Sequence, residues 1–536
     1  MRTHRFVAVT GSIAIALMVV VLVLNNPAIA AADGFGGLQE KRPTSVSLNS
    51  ANADVRSGTT AATMSCREGL AGGEPYLSAG IDIQSLGGGA YLDYWAHAPA
   101  SQPSAMEFIQ VIRLRQNKDS HGNYLPGYII TPALSDAAGG LGPIIAGAPG
   151  SLWLIGNEPD RGPDVPGGPA QDATFPDVYA RAYHDAYQFI KQRDPTALVA
   201  TAGLVEITPG RLQYLDIVWS TYAALYHEPL PVDVWNMHVY ILPEVTGIAN
   251  VALGTDPALA IGFAFTHTSG GPKVYTYGDH DNLNVFDEQV RRMRQWMAVH
   301  GQQDKPLFLS EVGLLYDEGV TDEFGKNFTV PRAATFLTKT FDYLSNATDP
   351  NIGMPSDGNR LVQQWIWYST NSPLGHISNL VTNTVPLTFT SVGNMFRSSV
   401  SSRLLQANLQ PRLAAASTPI LTAGESSVTA TLSVQVVNNG NQGVTVPLTV
   451  TFYSDAALTQ VIGSVVVTNG VPGCARRTTT LSVAWPGQGA GLHSFWVKAD
   501  SSNSINESNE FDNIVEGQAF VGNYGVYLPL ISRSSP

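Results

Sequence analysis

The sequence predicts an α/β chain, a (β/α)8 TIM barrel, followed by an all-β sandwich. Three observations carry that prediction. Short apolar runs alternate with amphipathic helical stretches from Tyr76 to about Arg403, the pattern of a parallel sheet covered by helices. Eight such runs can be counted, which is the number a barrel of ~250 residues requires. Beyond Leu409 the helical period stops, and only short alternating segments with Asn-Gly turns remain.

The chain is long enough for a large barrel plus a smaller module: 536 residues, 44% hydrophobic and 14% charged. Its 51 glycines and 34 prolines fit a loop-rich exported protein. The net charge of −13, with no clustered basic patch, argues against nucleic acid as a partner. The two cysteines, Cys66 and Cys474, are far apart in sequence. Sequence gives no distance between them, so a disulfide and two unpaired thiols both stand.

The N-terminus has the features of an export signal. Arg2 and Arg5 precede an apolar run from Phe6 to Leu24, with small residues suited to cleavage near Ala30 to Ala32. The run is also long enough to anchor the chain, and either reading places the rest outside the cytoplasmic membrane, secreted or at the cell surface. No later segment is apolar enough to span a bilayer. Residues 1–32 are thus a signal peptide or anchor, 33–75 a linker, 76–403 the barrel, 409–521 the sandwich and 522–536 a C-terminal tail.

The strand candidates are, in order, "YLSAGIDI", "GAYLDYW", "FIQVIRL", "SLWLIG", "ALVATAGLV", "VDVWNMHVY", "PLFLSEVGLL" and "LVQQWIWYS". Three intervening stretches have a helical period. Tyr179, Tyr183, Ala186 and Ile190 share one face, with Thr174 and Asp177 as a capping pair. Phe286, Val290, Met293 and Met297 share another, ended by Gly301. Ala333, Leu337, Phe341 and Leu344 repeat the pattern. An open doubly wound sheet is the alternative, but no Gly-rich phosphate loop follows any strand.

Barrel active sites lie at the C-terminal ends of the strands, where two glutamates stand out. Asn157 and Glu158 end the fourth candidate, and Pro159 stops further pairing and biases Glu158 to an extended backbone. The seventh ends similarly, with Leu307, Leu309 and Glu311 on one face opposite Phe308 and Ser310. Two carboxyl groups over one mouth are what glycosidic bond cleavage needs: one protonated at the leaving oxygen, one ionised.

"WLIGNEPD" and "PLFLSEVG" resemble the paired signatures of clan A glycoside hydrolases, retaining (β/α)8 enzymes such as families 5, 39 and 128. The resemblance covers roughly residues 76–403. It implies Glu158 as acid/base, Glu311 as nucleophile, and Asn157 as a ligand of the sugar 2-hydroxyl. It further implies that His238 and Tyr240, on one strand face with Asn236, orient the nucleophile, and that Trp367 is a sugar platform. Each has a plain alternative: a hydrogen-bonded structural histidine at 238, and core packing by Trp367, which shares its face with Trp365. Arg113 and Arg115 are candidates near the nucleophile or surface residues. The stretch "IDIQSLGGGAYLDYWAHAP" is similar to the aromatic-rich opening of family 128.

The roles set the expected titration. Glu158 should be raised by burial and by the charge of Glu311, while Glu311 stays ionised, held by hydrogen bonds such as one from Tyr240. The substrate implied is a carbohydrate, a β-linked polysaccharide or oligosaccharide. The competing function is a non-catalytic surface adhesion or glycan-binding protein on a glycosidase-like barrel. Other hydrolase signatures, GxSxG and HExxH, do not occur.

The segments "VVNNGNQG", "VTFYSD" and "NESNEFDN" resemble CARDB, a cell-adhesion-related bacterial module with an immunoglobulin-like fold. That implies glycan or cell-surface contact, or a spacer. Its acidic loop, with Glu507, Glu510 and Asp512, can be read as a calcium site or as a solvated turn. His280 lies between two aspartates in "GDHDN" without a full ligand set, and no cofactor or metal is expected.

Overall fold

The computed structural model describes residues 64–72, 83–98, 106–161, 171–242, 275–372, 376–384 and 386–523. The signal or anchor segment, most of the linker, all but Ile83 of the first strand candidate, and the tail beyond 523 lie outside the described residues.

The strands of the α/β part are β1 (Glu68–Ala71), β2 (Ala90–Leu92), β3 (Glu107–Phe108), β4 (Gln110–Lys118), β5 (Tyr124–Thr131), β6 (Leu152–Ile155), β7 (Leu198–Thr201), β8 (Trp235–Val239), β9 (Leu307–Val312) and β10 (Gln364–Trp367). They form a six-stranded sheet in the order β3-β2-β1-β10-β9-β8 and a four-stranded sheet in the order β5-β4-β6-β7. Every pairing is parallel except the β4–β5 hairpin. A lone bridge from Ala200 to Val234 links β7 to the approach of β8, and only Ile109 separates β3 from β4. The ladders therefore give two parallel-rich sheets, not the single closed sheet expected.

The first strand is a correction. It falls at Glu68–Ala71, inside the stretch expected to be linker. "EGLA" has no alternation to betray it, and Gly69 is there for space: a Cβ would lie 2.3 Å from Ile366 Cδ1 and 2.7 Å from the Ala90 carbonyl.

The helices are α1 (Leu141–Gly147), α2 (Pro176–Arg193), α3 (Pro209–Tyr226), α4 (Leu283–Val299), α5 (Val330–Asn346) and α6 (Ser391–Ser401). The periodic apolar positions of α2, α4 and α5 are all buried, as the 3.6 period requires. The capping pair at α2 is a second correction. Phe175 is the N-cap and makes no side-chain cap, while Thr174 Oγ1 donates to the Asp172 carbonyl. Pro176 begins the helix with its φ already fixed.

Strand alternation sorts the interior into two cores. One face meets the helices: Trp153, Ile155, Trp235, Met237, Leu307, Leu309, Trp365 and Trp367 join the helical apolar residues. The other face forms a smaller cluster, drawn from both sheets, that includes Ala71, Ala90, Val111, Leu152, Leu154, Ala200, Phe308 and Ile366. Burying each large apolar side chain contributes ~1.5–3 kcal/mol, so these faces fix the register.

The C-terminal unit is a β-sandwich of β13 (Leu409–Ala416), β14 (Val428–Asn438) and β17 (Thr478–Gln488) against β15 (Leu448–Tyr453), β16 (Val461–Val467), β18 (Gly491–Lys498) and β19 (Ile514–Val521). A short hairpin of β11 (Val381–Thr384) and β12 (Leu387–Phe389) precedes it. The sandwich is bound to the α/β part covalently: Cys66 and Cys474 form a disulfide with Cα atoms 6.1 Å apart. Arg67 adds a buried tie, donating to Asp357 Oδ1 at 2.8 Å and to the Asn439 carbonyl at 2.8 Å. Arg476 pairs with Glu107 at 2.6 Å, and Arg477 donates to the carbonyls of Thr196 and Gly150. Glu107 opens β3, and Gly150 and Thr196 precede β6 and β7. The sandwich thus docks on the N-terminal ends of the parallel strands, opposite the ends that carry Glu158 and Glu311.

Candidate active site

Glu158 follows β6 with φ +47°, a left-handed backbone and not the extended one expected. That conformation costs roughly 1–3 kcal/mol for a non-glycine residue and persists only where its surroundings impose it. Here the Glu158 N–H donates to the Gly203 carbonyl at 3.1 Å, and the Asn157 N–H to Asp172 Oδ2 at 2.9 Å. Asp172 also pairs with Arg113 at 2.8 Å, so Arg113 braces the Asn157 turn. Arg115 is exposed on the hairpin strand β4. Asn157 is buried, its side-chain amide donating to Gln171 Oε1 at 3.3 Å.

Glu311 reaches the same place through an irregularity in β9. Met237 of β8 is in register with Leu309, but His238 is in register with Glu311, so β9 carries an extra residue. The β10 ladder shows the same step, with Trp365 opposite Leu309 and Trp367 opposite Val312. This is a bulge, a device that re-aims a side chain. Strict alternation would have sent Glu311 to the helix side with Leu307 and Leu309. Instead both Ser310 and Glu311 meet His238.

Carboxylate oxygens of Glu158 and Glu311 and a ring nitrogen of His238 all lie within 4.8 Å of one another. His238 is fully buried, with Nδ1 3.1 Å from Glu158 Oε1 and Nε2 3.0 Å from Ser310 Oγ and 3.5 Å from Glu311 Oε1. Tyr240 donates to Glu311 Oε2 at 2.7 Å, and the Arg161 guanidinium lies 3.5 Å from Glu158 Oε2.

The titration differs from expectation. Burial pushes Glu158 up, but the hydrogen bond from His238 and the Arg161 charge outweigh it and hold its carboxyl below the usual range. Burial also raises Glu311, the Glu158 charge adds to this, and the lowering by His238 and Tyr240 does not compensate. His238 is lowered by burial yet ends above its usual value because both carboxylates face it. Of the two carboxyls, Glu311 therefore holds a proton to the higher pH. Arg161, adjacent in the sequence to the motif, was the missed cause.

Three N/O donors this close also match the ligand count of a catalytic zinc site. The guanidinium of Arg161 against Glu158 opposes a second cation there. The other metal candidates are His280 and the acidic loop of the sandwich, where Asp512 Oδ1 is buried without a hydrogen-bond partner. His280 is buried and lowered to about 4, its Nδ1 2.9 Å from the Ile241 carbonyl and its Nε2 accepting from the Leu315 N–H at 2.9 Å. Glu507 binds the Leu409 N–H and Asn513, Glu510 the Glu507 N–H, and Asp512 the Asn408 and Gln410 amides. Those carboxylates lock the loop to β13.

Trp367 is a core residue, not an exposed platform. It is fully buried on the helix-facing side, against Phe336 and Phe341, and its Nε1 donates to the Ser378 carbonyl at 2.8 Å. One residue on, Tyr368 has the opposite parity, its ring centroid 6.3 Å from those of both Tyr94 and Tyr240. Tyr94, Tyr240 and Tyr368 all titrate above the usual tyrosine value, through burial first and then the charge of Glu311. Tyr94 lies in the second strand candidate and Tyr368 directly follows Trp367; strand parity is the signal that points to both.

A family model described as CARDB matches residues 410–517, so the C-terminal sandwich carries a CARDB domain. No curated protein matches the chain by sequence. Among solved structures, the chain is similar to a family 128, subgroup II endo-β-1,3-glucanase from Sorangium cellulosum, at 15% identity and TM-score 0.36, covering 62% of this chain and 98% of that one. A glucosidase from Croceicoccus marinus matches at 11% identity and TM-score 0.39, over 86% and 94% of the two chains. The CARDB domain of a Pyrococcus furiosus protein, in complex with di-metal ions, matches at 18% identity and TM-score 0.18, over 23% and 99%. Among the described residues, no helix is long and apolar enough to cross a membrane.

Proposed function

We propose that this chain is a retaining glycoside hydrolase acting outside the cytoplasmic membrane on a β-linked polysaccharide or oligosaccharide. The observation that carries it is the approach of Glu158 and Glu311, whose carboxylate oxygens lie within 4.8 Å with His238 between them. Retaining enzymes hold their carboxyl groups ~5–5.5 Å apart, whereas inverting ones need ~6.5–9.5 Å to admit a water. The parallel strands, the Ala200–Val234 bridge and the β3–β4 continuity support reading the two sheets as one eight-stranded barrel with this pair at its mouth.

In the first step the Glu311 carboxylate attacks the anomeric carbon while Glu158 gives its proton to the leaving oxygen. In the second, the Glu158 carboxylate takes a proton from water, which attacks the same carbon and releases Glu311. Asn157 is the ligand for the sugar 2-hydroxyl. Tyr240 stabilises Glu311 when ionised, through the hydrogen bond it donates.

The test is a panel of β-glucans, xylans, mannans and aryl glycosides. Glu311→Ala is expected to abolish turnover. Glu158→Ala should retain aryl glycosides with good leaving groups and yield a β-glycosyl azide with added azide. Full activity of Glu158→Ala on polysaccharide would remove the assignment, and inertness of the folded wild-type protein on the whole panel would return the adhesion reading.

A further inference from the structure

We propose that His238 is a positioning residue that passes one shared proton between Glu311 and Glu158 by exchanging tautomers. This rests on the glycosidase reading and deepens it. A histidine that only braces a nucleophile needs one contact to it. Here Nδ1 meets Glu158 at 3.1 Å, while Nε2 meets Glu311 at 3.5 Å and Ser310 at 3.0 Å, so the ring bridges both carboxyl groups.

The proton movements balance. At rest Nδ1–H donates to the Glu158 carboxylate, and bare Nε2 faces the protonated Glu311 and the Ser310 hydroxyl. The Nδ1 proton then goes to Glu158 Oε1 as the Glu311 proton goes to Nε2. One N–H and one O–H bond break, and one of each forms. The three groups keep their total charge. The Ser310 hydroxyl turns its proton away from Nε2 before the single lone pair there takes the Glu311 proton, and it accepts from Nε2–H afterwards.

The surroundings fit such an exchange. A Cβ on Gly203 would lie 2.3 Å from Cδ2 and 2.4 Å from Nε2 of His238, so the glycine leaves room for the ring in this one place. The facing charged and titratable groups are Glu158, Asp160 and Arg161 after β6, Glu311 on β9 and Tyr240 after β8. Arg161 and the hydrogen bond from His238 favour an ionised Glu158 in the free site, whereas the first chemical step needs it protonated. Exchange through His238 reconciles the two without a proton from solvent.

Two measurements test it. In 15N-histidine-labelled protein at a pH where the ring is neutral, His238 is expected as Nδ1–H in the wild type. In Glu158→Gln, which mimics the protonated acid, it is expected as Nε2–H. The same tautomer in both would overturn the proposal, and this readout does not depend on turnover. His238→Ala is expected to lose about 100-fold in kcat, with added imidazole restoring at least tenfold and 1-methylimidazole, which cannot exchange tautomers, restoring none. Equal restoration by both would also overturn it. A wild-type protein inert on every glycoside, yet showing the tautomer switch, would sink the glycosidase reading and leave the proton exchange standing.

Discussion

His238 in β8 stands in register with Glu311 in β9, although Met237 beside it stands in register with Leu309. That single extra residue brings the second carboxyl group to the first. It also makes Ser310 and Glu311 partners of the same imidazole.

Tyr240→Phe removes the hydrogen bond donated to Glu311 Oε2. A hydrogen bond to a charged group contributes ~1.5–3 kcal/mol, so kcat should fall roughly 10–100-fold. The sign for pH follows from the bond lowering the Glu311 titration: without it Glu311 rises further, and the limb of kcat/KM that Glu311 sets moves to higher pH. A pH–rate profile checks this, and an unmoved limb would mean that Tyr240 does not act on Glu311.

Trp367→Ala should act on stability, not on substrate binding. The ring is buried among Phe336 and Phe341, and truncating such a side chain costs ~3–5 kcal/mol. Denaturant melts of the variant, alongside KM for the residual folded enzyme, separate this from a platform role, which would raise KM with little loss of stability.

Replacing both Cys66 and Cys474 by serine should lower Tm, by a loss of ~2–5 kcal/mol, and leave turnover at 25 °C within about twofold. The disulfide joins the sandwich to the end of the α/β part away from the site. Thermal scans and kinetics on the double variant check both halves of the statement. A large loss of activity with an unchanged Tm would contradict the placement.

Asp160 gives stability a pH dependence. It is fully buried against Arg211 at 3.0 Å, and burial raises it to about 6 despite that partner. A carboxyl raised on folding binds its proton more tightly in the native state, so its contribution is greatest below the unfolded value of ~3.9 and is lost as pH rises to about 6. The shift corresponds to ~3 kcal/mol across that window. Chemical denaturation at stepped pH should show this decline in the wild type and a flatter curve in Asp160→Asn.

Much of the site was legible because strand ends and motifs are local. Asn157, Glu158, His238 and Tyr240 lie where an apolar run meets polar residues, and period-two parity placed Asn236, His238 and Tyr240 on one face. The same rule failed at Glu311, since parity across a bulge depends on the neighbouring strands. At Trp367 parity pairs the ring with Trp365 but does not say which face meets the helices. β1 went unread because four residues containing a glycine have no pattern of their own.

Periodicity along the chain sets the alternation of strands and helices, the change to a sandwich near Leu409, and which glutamates stand at the ends of β6 and β9, because each is a local pattern of residue types. Packing in three dimensions is what brings Cys66 to Cys474, sets Arg161 and His238 against Glu158 to lower its titration, and aims Glu311 at His238 through the bulge. Those outcomes depend on distances between residues remote in sequence, and on a local electrostatic field to which burial and neighbouring charges contribute together.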